Sequence, residues 1–142
     1  MADNAAMQTD DITHIIQHHR TVAVVGLSPK LHRDSYEVAE YMQRHGWRII
    51  PVNPAAGVAQ ILGEKVYPSL IDAAKVEQID LVDVFRRSED VPPVAEEAVA
   101  IGAKGLWLQL GIEHPAAAAQ ARAAGLRVVQ NKCLLVEHRR FQ

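Results

Sequence analysis

The chain has 142 residues, 49% of them hydrophobic and 23% charged, which fits one soluble globular domain with a real core and little more. A formal charge of −2 argues against a nucleic-acid or anionic-membrane partner held by bulk electrostatics. No apolar run approaches the ~20 residues of a membrane span, and the single cysteine, Cys133, excludes a disulfide framework or a Cys-rich metal site.

Met1 to Asp11 is polar and acidic, without the basic start or apolar stretch of a signal peptide, so a cytoplasmic location is expected. Residues 1–10 read as a frayed lead-in, since nothing there offers a face to bury, and residues 11–142 as one domain. Ile12, Ile15 and Ile16 recur at helical spacing and predict a short amphipathic helix over Asp11 to His19. Thr21 to Leu27 (TVAVVGL) is a continuous apolar, β-branched run ending at glycine, the pattern of a strand buried on both faces. After the loop Ser28 to Arg33, a helix is expected over Asp34 to His45, with Asp34 and Glu37 spaced like a capping box and Gly46 as its stop.

Trp47 to Val52 is the second predicted strand, cut off by Pro51 and Pro54. Glu64 to Tyr67 reads as a short third, and Ser69 caps a small helix through Ala74. Strands over Leu81 to Phe85, Gly105 to Leu110 and Leu126 to Val129 alternate with helices over Pro92 to Ile101 and Pro115 to Ala124. Short apolar strands alternating with helices imply right-handed crossovers. The expected fold is α/β: a Rossmann-like, doubly wound parallel sheet of five or six strands with helices on both faces.

Ligands in such sheets bind beyond the carboxyl ends of the strands, where the strand order reverses. Gly26 permits a tight turn, and the following helix offers free N–H groups and a positive dipole end to an anion. Gly26 would serve any strand-to-helix turn, but Ser28, Lys30 and Arg33 cluster with it, and a phosphate is the natural guest. A dinucleotide fingerprint is not met. Its three glycine positions hold Gly26, Ser28 and Leu31, and the second strand ends in Ile50-Pro51-Val52-Asn53-Pro54, with no acid to hold a ribose.

GLSPK at 26–30, SYEVAEYM at 35–42, PVNP at 51–54, VDVFRR at 82–87, LWLQLG at 106–111, and NKC with the nearby Glu137 together resemble the CoA-binding domain family. These are small stand-alone proteins similar to the nucleotide-binding half of the succinyl-CoA synthetase α-subunit. The likeness runs from about Ile12 to Arg139. It implies a Rossmann-like fold with coenzyme A as ligand, its ADP portion lying across the strand ends. It also implies Gly26, Ser28 and Lys30 at the pyrophosphate, Val52, Asn53 and Pro54 near the adenosine, and Phe85, Arg86 and Arg87 along the same crevice. In the synthetases, ligation uses a histidine of a further domain that has no counterpart in this sequence.

The neutral edge at Asn53 suits a ligand with a phosphorylated ribose, and either arginine could form a bidentate phosphate pair. Asp34 and Glu37 depart from this chemistry by placing two negative charges near the helix end that receives the anion. Arg86 and Arg87 read equally as a solvated pair answering Glu89 and Asp90, and Asn53 as turn chemistry. Trp107 is expected in the core and Gln109 facing the crevice, with His114 a surface or capping residue rather than a catalytic base. Cys133 reads as a small buried hydrophobe, or as a thiol at the crevice mouth beside Lys132, within reach of the coenzyme A thiol.

The candidate binding set is thus Gly26, Leu27, Ser28, Lys30, Arg33, Val52, Asn53, Pro54, Phe85, Arg86, Arg87 and Gln109, with no catalytic residue and no metal ligand. The expected function is non-catalytic binding of coenzyme A or an acyl-CoA. The alternative is an enzyme using NADP or another nucleotide in the same crevice, and a third is an interaction module with an empty site. A homodimer is the base-rate default.

Overall fold

The computed structural model describes residues 4–142. In chain order the elements are α1 (Asn4–His18), β1 (Thr21–Val25), α2 (Asp34–Arg44), β2 (Arg48–Val52), β3 (Gln60–Ile61), β4 (Glu64–Lys65), α3 (Leu70–Ala74), β5 (Leu81–Val84), α4 (Val91–Ala100), β6 (Gly105–Leu108), α5 (Pro115–Ala123), β7 (Arg127–Val129) and α6 (Leu134–Arg139). Five strands form one sheet in the order β2-β1-β5-β6-β7, every pair parallel. The fold is Rossmann-like α/β.

The period-two alternation of each strand explains why its apolar runs are continuous. Ala23, Val25, Ile50, Val82, Val84, Leu106 and Leu108 face one core, where they meet Leu70 and Ala73 of α3, Ala95 and Ala98 of α4, and Ala117 and Ala121 of α5. Val22, Val24, Ile49, Leu81, Trp107 and Val129 face the other, against Ile15 of α1, Val38 and Met42 of α2, and Leu134 of α6. Trp107 is fully buried and donates its indole N–H to the Lys132 carbonyl at 2.7 Å. His114 caps α5, its Nδ1 accepting from the Ala117 N–H at 3.1 Å.

Three expectations need correction. The predicted lead-in is helical from Asn4 onward, residues 1–3 lying outside the described residues. Its anchors are polar, which is why no apolar face announced it. Gln8 donates to the Gln130 carbonyl at 3.0 Å and accepts from the Gln130 N–H at 2.9 Å. The buried Asp11 receives Arg122 at 2.6 Å and Arg127 at 3.1 Å. Secondly, Glu64 to Tyr67 adds no strand to the main sheet. β4 pairs with β3 in a small antiparallel hairpin, and Tyr67 makes only an isolated bridge to Val52.

Thirdly, the capping box on Asp34 does not form. Arg33 occupies the N-cap position with no side-chain cap, and Asp34 is the first helical residue. Among the described residues no helix is long and apolar enough to cross a membrane.

Candidate functional site

The strand order reverses between β1 and β5, and the chain leaves both strands at adjacent points. Gly26 follows β1 with φ +90°, a left-handed conformation that disfavours a side chain. Its N–H donates to the Val52 carbonyl at 2.8 Å. A Cβ added at Gly26 would lie 2.4 Å from the Phe85 carbonyl oxygen, so glycine is demanded twice over.

The loop beyond Gly26 is held by its own side chains. Ser28 donates its N–H to Ser35 Oγ at 3.0 Å, while its hydroxyl oxygen accepts from the Lys30 N–H at 3.1 Å. Asn53, at the end of β2, donates its amide to the Leu27 carbonyl at 2.9 Å and accepts from the Ala55 N–H at 2.9 Å. Both polar ends of Asn53 are therefore engaged in tying the β2 exit to the β1 exit, which joins the turn role to a bracing one. α2 then starts without a side-chain cap. Its first-turn N–H groups and the positive end of its dipole meet the loop open to an incoming anion.

Two connected hollows run along this edge. A cleft of about 440 Å³ is bounded by Gly26, Ser28, Lys30, Arg33, Asp34, Ser35, Asn53 and Phe85. A chamber of about 890 Å³ continues past Asp34 and Phe85 to Arg86, Gln109, Leu110, Ile112, Cys133 and Leu135. Of the predicted residues, Leu27 and Val52 are buried and do not reach the cleft, and Pro54 lies beside it without lining it. Leu27 contributes its carbonyl, and Val52 contributes its carbonyl to Gly26.

The arginine pair separates cleanly. Arg87 is ion-paired with Glu89 at 3.5 Å and Asp90 at 3.2 Å, a solvated arrangement at the chamber rim. Arg86 has no carboxylate partner among the described residues and passes over Gly26. Lys30 and Arg33 are likewise without ion pairs among the described residues. Asp34 and Glu37 do face the crevice, Asp34 on the partition between the hollows and Glu37 on the chamber wall, and both are exposed. In the cleft itself, Lys30 and Arg33 outweigh Asp34.

Gln109 is buried and lines the chamber, its Oε1 accepting from the Leu134 N–H at 3.0 Å. Cys133 is half-buried on the chamber wall. Lys132 is not its neighbour there, since it lines a separate cleft between α1 and α6. One polar residue escaped the sequence reading. Asp83, between Val24 and Trp107 in register, is fully buried with both carboxylate oxygens unpartnered, and burial pushes its carboxyl well above the usual range. The acid inside the apolar run LVDVF was the available signal.

The architecture has known counterparts. The chain is similar to the uncharacterized protein YneT of Bacillus subtilis, with 40% identity over 130 residues, covering 90% of this chain and 92% of that protein. It is 31% identical over 88 residues to the ADP-forming acetate–CoA ligase II of Archaeoglobus fulgidus, covering 61% of this chain but only 12% of the ligase. A hypothetical protein from Pyrococcus horikoshii superposes with a TM-score of 0.87 at 34% identity, covering 99% of this chain and 96% of that one. The profile of the CoA binding domain matches residues 20–139, the stretch that carries every strand of the sheet and both hollows. The chain therefore belongs to the CoA binding domain family.

Proposed function

We propose that the protein binds coenzyme A, or an acyl-CoA, and performs no chemistry of its own on it. The observation that carries this reading is the junction at the strand reversal. There a glycine pressed against the Phe85 carbonyl feeds an uncapped helix end, flanked by Lys30, Arg33 and Arg86, cations with no ion pair among the described residues. Backbone N–H groups and the α2 dipole would take the pyrophosphate, with Lys30 and Arg33 adding charge. Asn53 ties the two loops together at the adenosine end and places no carboxylate against a phosphorylated ribose.

The longer chamber suits the pantetheine arm, which has amides to bond and an alkyl end to bury. Gln109 supplies an amide on its wall, and Leu110, Ile112 and Leu135 supply apolar surface. Three of the seven histidines are committed outside the crevice: His114 caps α5, His138 pairs with Tyr41 Oη at 3.0 Å, and His19 is buried beside Gly105. A cytoplasmic location, the absence of a nucleic-acid partner and a homodimeric state go with this reading as proposals.

Thermal unfolding against a panel of coenzyme A, acetyl-CoA, NAD, NADP and ATP tests it. A ligand at a hundred times its Kd stabilises by about 2.7 kcal/mol, so coenzyme A and acetyl-CoA are expected to raise Tm clearly. A rise with NADP and none with coenzyme A would move the reading to a nucleotide-using enzyme, and no rise with any ligand to an interaction module.

A further inference from the structure

We propose that Cys133 is a covalent docking point for the ligand's own sulfur: its thiol exchanges with coenzyme A disulfide, so that the chain becomes coenzyme A-linked under oxidising conditions. The inference rests on the coenzyme A reading and adds to it a redox-sensitive modification site.

Two observations at the same wall carry it. The first is position. Cys133 lines the chamber that opens from the phosphate cleft past Asp34 and Phe85. A ligand with its phosphates at Lys30 and Arg33 can extend its arm along this chamber. The thiol caps nothing, although Cys133 is the N-cap residue of α6, and the cysteine is free. The second is Gln109. It is only 4% exposed, yet it lines the chamber, and its Oε1 is already taken by the Leu134 N–H. Among the described residues nothing accepts from its amide nitrogen. The amide nitrogen is not among the buried unpartnered atoms, so it reaches the hollow and is free to donate to a ligand acceptor such as a pantetheine carbonyl. Leu134, which holds Gln109, directly follows Cys133, so the bound arm is fixed next to the thiol.

The exchange balances without any further oxidant. The Cys133 thiolate attacks one sulfur of the symmetrical disulfide, the sulfur–sulfur bond breaks, and one coenzyme A leaves as thiolate and takes up a proton. The products are a Cys133–coenzyme A mixed disulfide and one reduced coenzyme A. Reduction by an external thiol reverses it.

The test is the rate of adduct formation on the native full-length chain, read by intact mass as a gain of one coenzyme A less two hydrogens, with coenzyme A disulfide and glutathione disulfide at equal concentration. Prior binding raises the local concentration of the reacting sulfur, so coenzyme A disulfide is expected to react roughly tenfold faster or more. Excess acetyl-CoA, which carries no free thiol, should slow that reaction by occupying the site. Cys133 is the single cysteine, so an adduct of this mass reports on it alone. Binding of coenzyme A without any rate preference for its disulfide overturns this inference and leaves the binding reading intact. No binding in calorimetry removes both.

Discussion

The Cα of Gly26 is pressed so closely on Phe85 that an added methyl group would stand 2.4 Å from its carbonyl oxygen. This contact locks the exits of two neighbouring strands together at the point where a ligand would enter. Gly26→Ala meets both that clash and a φ of +90°, and is expected to cost at least about 2 kcal/mol of stability. Urea unfolding measures it, and calorimetry should show weaker coenzyme A binding in the same variant. A variant as stable as wild type would contradict the contact.

The two arginines after Phe85 should behave differently. Among the described residues Arg86 has no carboxylate partner and stands over Gly26, whereas Arg87 already answers Glu89 and Asp90. Arg86→Ala is expected to weaken coenzyme A binding by about tenfold to a hundredfold, as for loss of a charge-assisted hydrogen bond. Arg87→Ala should change it by about twofold or less. Equal effects in calorimetry would refute the division of roles.

Asn53 braces the crevice through its donation to Leu27 and its acceptance from Ala55. Asn53→Asp keeps the shape but turns the donor into an acceptor facing the Leu27 carbonyl. It should cost about 1–3 kcal/mol in urea unfolding and also weaken binding by bringing negative charge to the phosphates. Unchanged stability would show that the brace carries no weight.

Two buried groups give stability opposite dependences on pH. Burial lowers the pKa of His19 from 6.5 to about 4, so the folded chain holds it neutral. Its contribution is complete above pH 6.5 and is lost as pH falls through about 4, a loss of up to about 3 kcal/mol. His19→Gln should remove most of that acid slope. Asp83 is raised by burial, so its contribution is complete below the usual carboxylate range and is lost as pH rises from there. Asp83→Asn should therefore be more stable than wild type at pH 8 and should lose that advantage at pH 4, read as the shift in urea midpoint. A pH-independent difference would mean that the Asp83 carboxyl titrates alike in the folded and unfolded chain, so that burial does not raise it.

Strands buried on both faces were legible because Val22 to Val25 form a continuous apolar run, and the stops at Gly46 and Gly125 marked helix ends without tertiary information. The start of α1 was not legible, since Gln8 and Asp11 are anchored by partners more than a hundred residues away. The cap of α2 was misplaced by one residue. Asp34 has the chemistry of a cap, but the loop that Ser28 and Ser35 brace puts Arg33 at that position. Arg86 and Arg87 are chemically identical in the sequence, and only the local turn at Ser88–Asp90 decides which of them meets the acids. The placement of Lys132 away from Cys133 likewise depends on how the chain turns into α6.

Isothermal titration of the full chain with coenzyme A tests the account at its centre. One site is expected, with affinity falling as salt is raised because Lys30, Arg33 and Arg86 meet phosphates, and with weaker binding of the ligand lacking its 3′-phosphate. A flat titration, or equal affinity for NAD, would contradict it.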